Sequence, residues 1–354
     1  MVTYRLATEK DYPNINDFHN RLYRKSRSIE QFLWEFHDSP AGPSVYVIAE
    51  DGDRIVGTNC VIPVDLRTFD GKTIRSGKSE DTLVDPEYRG QNIFNAIYEF
   101  LFEECRKQNI AVIWGFTAAK KPFAKLGFEI PFDNGQSLAV GRMIPAYSFL
   151  VSLNPKNTLK EKIKIFGLCV MSRLKVLKDS FRNKSGLGNF EIVEVNEPIE
   201  LNNILEKMNS DKGFFINQDI RFQSWRIYTN PNYLKVRTFH FYQKGELLAS
   251  FIYNIDAKGV AYCCHSLFHP SLDSASGIRM IKYSRKKLFR ENVCLIRHWS
   301  FEHTAPNRTE LSLLSESGFI YLKRGIGFVW KPLKDELPQA KDFYLSRIAA
   351  QGVN

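Results

Sequence analysis

The sequence has no Cys-x-x-Cys pair: its six cysteines, Cys60, Cys105, Cys169, Cys263, Cys264 and Cys294, are scattered along 354 residues. That spacing excludes a zinc ribbon or a redox motif and reads as small buried apolar side chains. No apolar run approaches the roughly 20 residues that span a bilayer. The first residues lack the basic-then-apolar layout of a secretory leader, so a cytoplasmic location is expected. Neither a Gly-x-Ser-x-Gly elbow nor a Walker-type loop occurs. His298 and His303 find no third ligand at metal-site spacing, and no metal is expected. Acidic residues are the scarcer charge, 39 against 49 basic ones, a net +10 with histidines neutral. The ordinary usage of 44% hydrophobic and 25% charged residues excludes a disordered or collagen-like chain. The length suits two domains.

What is present repeats. Trp34-Glu-Phe-His-Asp-Ser-Pro40 is echoed by Trp225-Arg-Ile-Tyr-Thr-Asn-Pro231, with the same step from Trp to Pro. Each is followed by a strand-turn-strand pattern around Gly52 or Gly245. Each copy closes with an apolar strand bearing Trp114 or Trp299, then a Gly-Phe step at Gly127-Phe128 or Gly318-Phe319. Three matching features in one order favour an internal duplication.

The periodicity of the first copy predicts helices near 12–23 and 29–36, a hairpin over 45–64 and a strand over 76–84. A helix over 91–108, a strand over 110–116, a short helix over 120–126 and a last strand over 128–142 follow. The fold class is therefore a mixed α/β sheet, with lobes at 1–144 and 189–334, a connector at 145–188 and a tail at 335–354.

Leu83-Val-Asp-Pro-Glu-Tyr-Arg-Gly-Gln-Asn-Ile-Phe94 carries the clearest chemistry. Pro86 ends a strand, Arg89-Gly90 makes a tight turn, and an amphipathic helix starts with Ile93, Ile97, Leu101 and Cys105 on one side. Free N–H groups at that helix start suit a pyrophosphate. This stretch resembles the GNAT superfamily of acyl-CoA-dependent N-acetyltransferases, whose strand-loop-helix pattern is matched by Leu83, Val84, Pro86, Glu87, Tyr88, Arg89, Gly90, Gln91 and Ile93. The resemblance extends over about 3–140 and more weakly over 190–332. It implies two GNAT-like lobes, with acetyl-CoA held by Thr82, Leu83, Val84, Arg89, Gly90, Gln91, Asn92, Ile93 and Phe94. Asn92 replaces the usual Gly, and Phe94 the usual Gly or Ala. Asn tolerates the left-handed backbone region; Phe94 adds bulk near the expected ligand path. The second copy reads His269-Pro-Ser-Leu-Asp-Ser-Ala-Ser-Gly-Ile-Arg-Met280 at the equivalent place and lacks the signature, so a single cofactor site is expected.

The resemblance further implies acetyl transfer to a primary amine of a small molecule or amino sugar, by direct attack on the thioester. Main-chain N–H groups of Thr82, Leu83 and Val84 would face the acyl oxygen. Strand alternation puts Lys78, Glu80, Thr82 and Val84 on one face and Ser79, Asp81 and Leu83 on the other. Glu80 is the preferred general base and Asp81 the second choice. Phe123 stands where the family commonly has an acidic Tyr. That gap keeps open a non-catalytic CoA-binding protein, and the paired lobes keep open a FemAB-like aminoacyl or peptide transferase. No nucleic-acid-binding motif appears.

Between Lys156 and Lys184, nine basic side chains face Glu161 and Asp179, a net +7. Leu159, Ile163, Phe166, Val170, Leu174, Leu177 and Phe181 form one apolar stripe, on one helix or on two broken near Gly167. The stripe reads as a packing face between lobes or over the cleft. Its basic character also allows a wall for an anionic acceptor or peripheral contact with a membrane surface.

Overall fold

The computed structural model describes all residues except 154, 155, 157, 183–187, 209–211 and 351–354. The elements in chain order are β1 (Thr3–Leu6), α1 (Tyr12–Tyr23), α2 (Ile29–Phe36), β2 (Val45–Asp51), β3 (Arg54–Thr68), β4 (Thr73–Val84), α3 (Ile93–Lys107), β5 (Val112–Thr117) and α4 (Lys120–Lys125). There follow β6 (Asp133–Val140), α5 (Met143–Ser152), α6 (Leu159–Arg182), β7 (Glu191–Val193), α7 (Asn202–Met208), β8 (Phe214–Ile216) and α8 (Ile220–Gln223). The last are β9 (Lys235–Gln243), β10 (Glu246–Ile255), β11 (Val260–Phe268), α9 (Ser274–Arg290), β12 (Leu295–Ser300), α10 (Ala305–Glu316), β13 (Ile320–Pro332) and β14 (Phe343–Tyr344).

Local chemistry explains the element ends. Helix α2 starts at a capping box in which Ser28 Oγ accepts from the Gln31 N–H and the Gln31 side chain accepts from the Ser28 N–H. Helix α1 has Pro13 in its first turn and stops at Arg24, which takes left-handed backbone angles. The strand expected over 128–142 is shorter, Asp133–Val140, preceded by a single bridge from Glu129 to Trp330.

Two compact units result, and neither is continuous in sequence. The first comprises 1–132, 214–231 and 326–341; the second comprises 133–213, 232–325 and 342–354. In the first unit the sheet runs β1-β2-β3-β4-β5 and then the C-terminal half of β13. In the second it runs from the N-terminal half of β13 through β6, β12, β11, β10 and β9 to β7. The last strand of each sequence copy is thus spent in the unit named for the other. These bodies differ from the continuous stretches 1–144 and 189–334 because strand pairing, not chain proximity, assigns β6: it pairs antiparallel with β12 from Val140↔Leu295 to Gly135↔Ser300.

Each unit buries its own core. In the first, α3 lays Ile93, Ile97, Tyr98, Leu101, Phe102 and Cys105 on Val45, Val47, Val61 and Ile113. In the second, α9 and α10 cover one face of the sheet through Met280, Ile281, Leu288, Leu313 and Leu314. The connector helices α5 and α6 cover the other, through Ala146, Phe149, Leu150 and Cys169. Helix α6 is one unbroken helix past Gly167. All six cysteines are buried, and none is in a disulfide among the described residues. Among the described residues no helix is long and apolar enough to cross a membrane.

Candidate active site

Strands β4 and β5 run parallel but pair over only three positions, from Ser76↔Val112 to Lys78↔Trp114. Beyond Lys78 the β4 edge facing β5 carries no ladder, leaving in a wedge those main-chain groups of 79–84 that point to that edge. Its opposite edge stays paired to β3 through Thr58↔Leu83 and Gly57↔Val84.

That pairing slips by one residue between Thr58 and Cys60, opposite Glu80 and Leu83. Asp81 sits there with φ 51°, so β4 carries a bulge. Side chains of β3 hold it: Thr58 Oγ1 donates to the Asp81 carbonyl at 2.9 Å, and Cys60 Sγ to the Glu80 carbonyl at 3.3 Å. The bulge overturns strict alternation along the strand. Ser79 and Thr82 share a face, both within hydrogen-bond distance of the Tyr98 hydroxyl, at 2.9 and 3.1 Å. Consecutive Glu80 and Asp81 carboxylates turn instead toward Lys78, His19 of α1 and Arg27 between α1 and α2.

The two carboxylates have different surroundings. Asp81 is almost fully buried. His19 Nδ1 lies 2.6 Å from its Oδ1, while Arg27 Nη2 (3.2 Å) and the Tyr46 hydroxyl (2.5 Å) donate to Oδ2. Burial alone would raise its pKa, but the His19 bond, the Arg27 charge and the Tyr46 bond outweigh it and hold Asp81 below its ordinary value. Glu80 is more open, its side chain 30% exposed, and pairs with the buried Lys78 ammonium. Burial lowers the Lys78 pKa, with Glu80 opposing. The sequence reading missed Glu35 on α2. Its pKa is pushed up to about 7 by burial and by the charges of Glu80 and Asp81, against the pull of Arg27. The only sequence signal was a carboxylate between Trp34 and Phe36 on the largely apolar helix Ile29–Phe36, which also carries Glu30.

At the far end of β4, Asp85 caps a short 3-10 turn over Pro86–Tyr88, its carboxylate accepting from the Glu87 N–H. Arg89, Gly90, Gln91 and Asn92 follow, all exposed. Gly90 (φ 84°) and Asn92 (φ 61°) both take left-handed angles, so Asn92 adopts the backbone its replacement of glycine required. The Asn92 side chain makes no cap bond to α3; its Oδ1 accepts from Asn95 Nδ2 at 2.6 Å. The first N–H groups of α3 thus keep their donors for an anion, as a pyrophosphate cradle requires. Ile93 and Leu83 are buried, and Val84 packs against the same core. Phe94 turns into an aromatic cluster with Tyr98 (5.0 Å) and Phe123 (5.8 Å). Phe123 is itself buried and offers no proton.

The equivalent helix of the second unit, α9, is closed to anions. The Asp273 carboxylate caps it, accepting from the Ser276 N–H (2.9 Å) and Oγ (2.5 Å). A fixed negative charge stands where a phosphate would. Buried histidines nearby are structural: Ser250 Oγ lies 3.0 Å from His240 Nδ1 and 3.1 Å from His265 Nε2. His269 is held by Ser271. Among the described residues, no group of three His, Cys, Asp or Glu side chains could hold a metal.

A bulged strand, a wedge opening after three parallel pairs and an uncapped helix start coincide with a family match. The family profile described as an acetyltransferase (GNAT) domain matches residues 3–130. The chain carries a GNAT domain. The match covers the β1–α4 part of the chain; the second unit has no family match of its own. No curated protein sequence matches it. Similar solved structures include a conserved protein of unknown function from Enterococcus faecalis described as a probable N-acyltransferase, at TM-score 0.63 and 10% identity over 94% of this chain and 73% of that one. A GCN5-related N-acetyltransferase from Anabaena variabilis gives TM-score 0.60 and 10% identity, over 94% and 73%. A tandem GNAT protein from the clavulanic acid biosynthesis pathway gives TM-score 0.57 and 11% identity, over 95% of this chain and all of that one. The last supports the tandem reading of the GNAT fold.

Proposed function

We propose that the chain transfers an acetyl group from acetyl-CoA to the primary amine of a small molecule or amino sugar. The observation that carries this reading is the uncapped start of α3 at Asn92, beside the open edge of β4. Backbone N–H groups of Gly90, Gln91 and the first turn of α3 hold the pyrophosphate, and Arg89 adds charge. Main-chain donors of the 82–84 segment that point to the open edge, the Val84 N–H among them, orient the acyl oxygen and stabilise the oxyanion as the amine attacks. Tyr98 positions this segment through Ser79 and Thr82.

Glu80 takes the ammonium proton, leaving a neutral amine whose lone pair forms the C–N bond. The second proton leaves as the C–S bond breaks. Asp81, held by three partners, keeps the bulge and α1 in place and takes no part in proton transfer. Glu35, poised near neutrality, is the second carboxylate available to the proton. Phe123 supplies no acid, and none is required: a thiolate of ordinary thiol pKa, about 8.5, leaves readily and protonates from water.

The test is a thiol-release assay with acetyl-CoA and a panel of amines, amino sugars included. Release above hydrolysis with at least one amine, reduced roughly 100-fold or more by Glu80→Gln, is expected. Acetyl-CoA binding without release against any amine would assign the chain to non-catalytic CoA binding.

A further inference from the structure

Five of the seven stripe residues of α6 face solvent; Val170 is half-buried and the Phe181 side chain lies outside the described residues. Relative exposure is 74% at Leu159, 63% at Ile163, 53% at Phe166 and 60% at Leu174, and Leu177 is also exposed. Helix α6 joins its unit through other positions: Cys169 and Val176 are buried, Ile165 and Leu168 pack with the α5 core, and Ser172 Oγ accepts from the Val140 N–H at 3.0 Å. At those five positions the stripe departs from the packing reading. At about 100° per residue the stripe occupies an arc of roughly 80° on the solvent side. Lys160, Lys164 and Lys178 border it on one side, Lys162 and Arg173 on the other. The apolar patch continues onto α5, where Ile144 is 80% exposed and Tyr147 meets Phe166 edge-on at 6.0 Å.

We infer that α6 is a membrane-surface helix that lies on an anionic bilayer, with Leu159, Ile163, Phe166, Leu174 and Leu177 entering the headgroup boundary. Cationic flanks along an exposed apolar stripe are the arrangement such a surface rewards: acyl chains take the stripe, and the lysine stems let their ammonium groups reach lipid phosphates. Charge decides against the other occupants. Two copies meeting on this face would bring two segments of net +7 together. A nucleic acid would neutralise the lysines yet leave the apolar stripe in water.

The test is flotation of the full chain with vesicles of phosphatidylcholine alone and of phosphatidylcholine mixed with phosphatidylglycerol. Binding to the anionic vesicles only, weakening with added salt, is expected. Lys160→Glu with Lys178→Glu, and separately Phe166→Ser with Leu174→Ser, should each lower the bound fraction roughly tenfold or more, with unchanged circular dichroism and melting temperature. A fluorophore on Leu174→Cys should shift to the blue on meeting anionic vesicles, which tests the face without removing the stripe as a whole. No flotation with anionic vesicles, or flotation indifferent to both double variants, overturns the proposal. So does a concentration-dependent dimer abolished by Phe166→Ser, which gives the face to a second copy. Tight binding of an RNA or DNA fragment with no vesicle binding gives it to nucleic acid.

Discussion

Trp34 and Trp225 donate to each other's backbone: Trp34 Nε1–H to the Trp225 carbonyl at 2.8 Å, and Trp225 Nε1–H to the Trp34 carbonyl at 2.7 Å. Their rings stack at 5.6 Å, and the buried Arg226 guanidinium lies 5.7 and 5.9 Å from the two ring centroids. Trp34 opens the first sequence echo and Trp225 the second. The repeat thus has a physical meaning within the first unit, where equivalent turns from both copies clasp one another. They also border an open groove of about 660 Å³, lined by Ile29, Leu33, Pro40, Arg221 and Pro231, that includes none of the β4 residues.

Each Trp→Phe change keeps a ring and removes one donor: Trp225→Phe takes it from the buried Trp34 carbonyl, and Trp34→Phe leaves the Trp225 carbonyl with the Thr229 hydroxyl at 3.3 Å. Trp34→Phe and Trp225→Phe should each cost about 1–3 kcal/mol in urea unfolding. The double variant should lose measurably less than the sum, because the two bonds act as one clasp. Strict additivity would show that they do not.

Asp81 and Glu80 should separate by phenotype. Asp81→Asn leaves Arg27 and His19 beside a neutral amide and should destabilise the fold by about 3–5 kcal/mol. Glu80→Gln, at a 30% exposed side chain, should cost less stability than Asp81→Asn even though it takes the partner from buried Lys78, while lowering turnover roughly 100-fold. Calorimetry alongside the thiol-release rate distinguishes them.

Glu35 gives a pH signature. Its folded pKa, about 7, lies above the ordinary 4.5, so folding favours its protonated form. The stability this contributes is complete below about pH 4.5 and is lost as pH rises through 7. Glu35→Gln should flatten that decline in urea melts between pH 5 and 8. If Glu35 shares the proton, the variant should also remove an ionisation near 7 from the kcat/KM profile.

His240 and His265 should act with the opposite sign. Burial pulls them down to about 4 and about 3, with His240 adding to the shift at His265. The unfolded chain takes up their protons near 6.5, so the stability they contribute is present above that pH and is lost as pH falls toward 4 and 3. His240→Phe should reduce the acid loss between pH 6.5 and 4, read by the same melts.

Much of the first unit was legible in the sequence because its signals are local. The periodicity that predicts helices near 12–23 and 29–36 matches α1 and α2. Asn92 was readable as a left-handed residue. Features that depend on partners distant in sequence were not legible. Strict alternation separates Glu80 from Asp81, and only the slip against Thr58 and Cys60 brings them together. Glu35 gains its character from β4, some 45 residues away in sequence. The exchange of last strands follows from which edge β6 finds, and the stripe of α6 has the same periodicity whether it packs or faces water.

The central claim is one acyl-CoA site, at the start of α3. Isothermal titration with acetyl-CoA tests it most directly. One equivalent should bind to the full chain, vanish in Arg89→Glu and persist in Asp273→Ala. Two equivalents, or unchanged affinity in Arg89→Glu, would contradict the account.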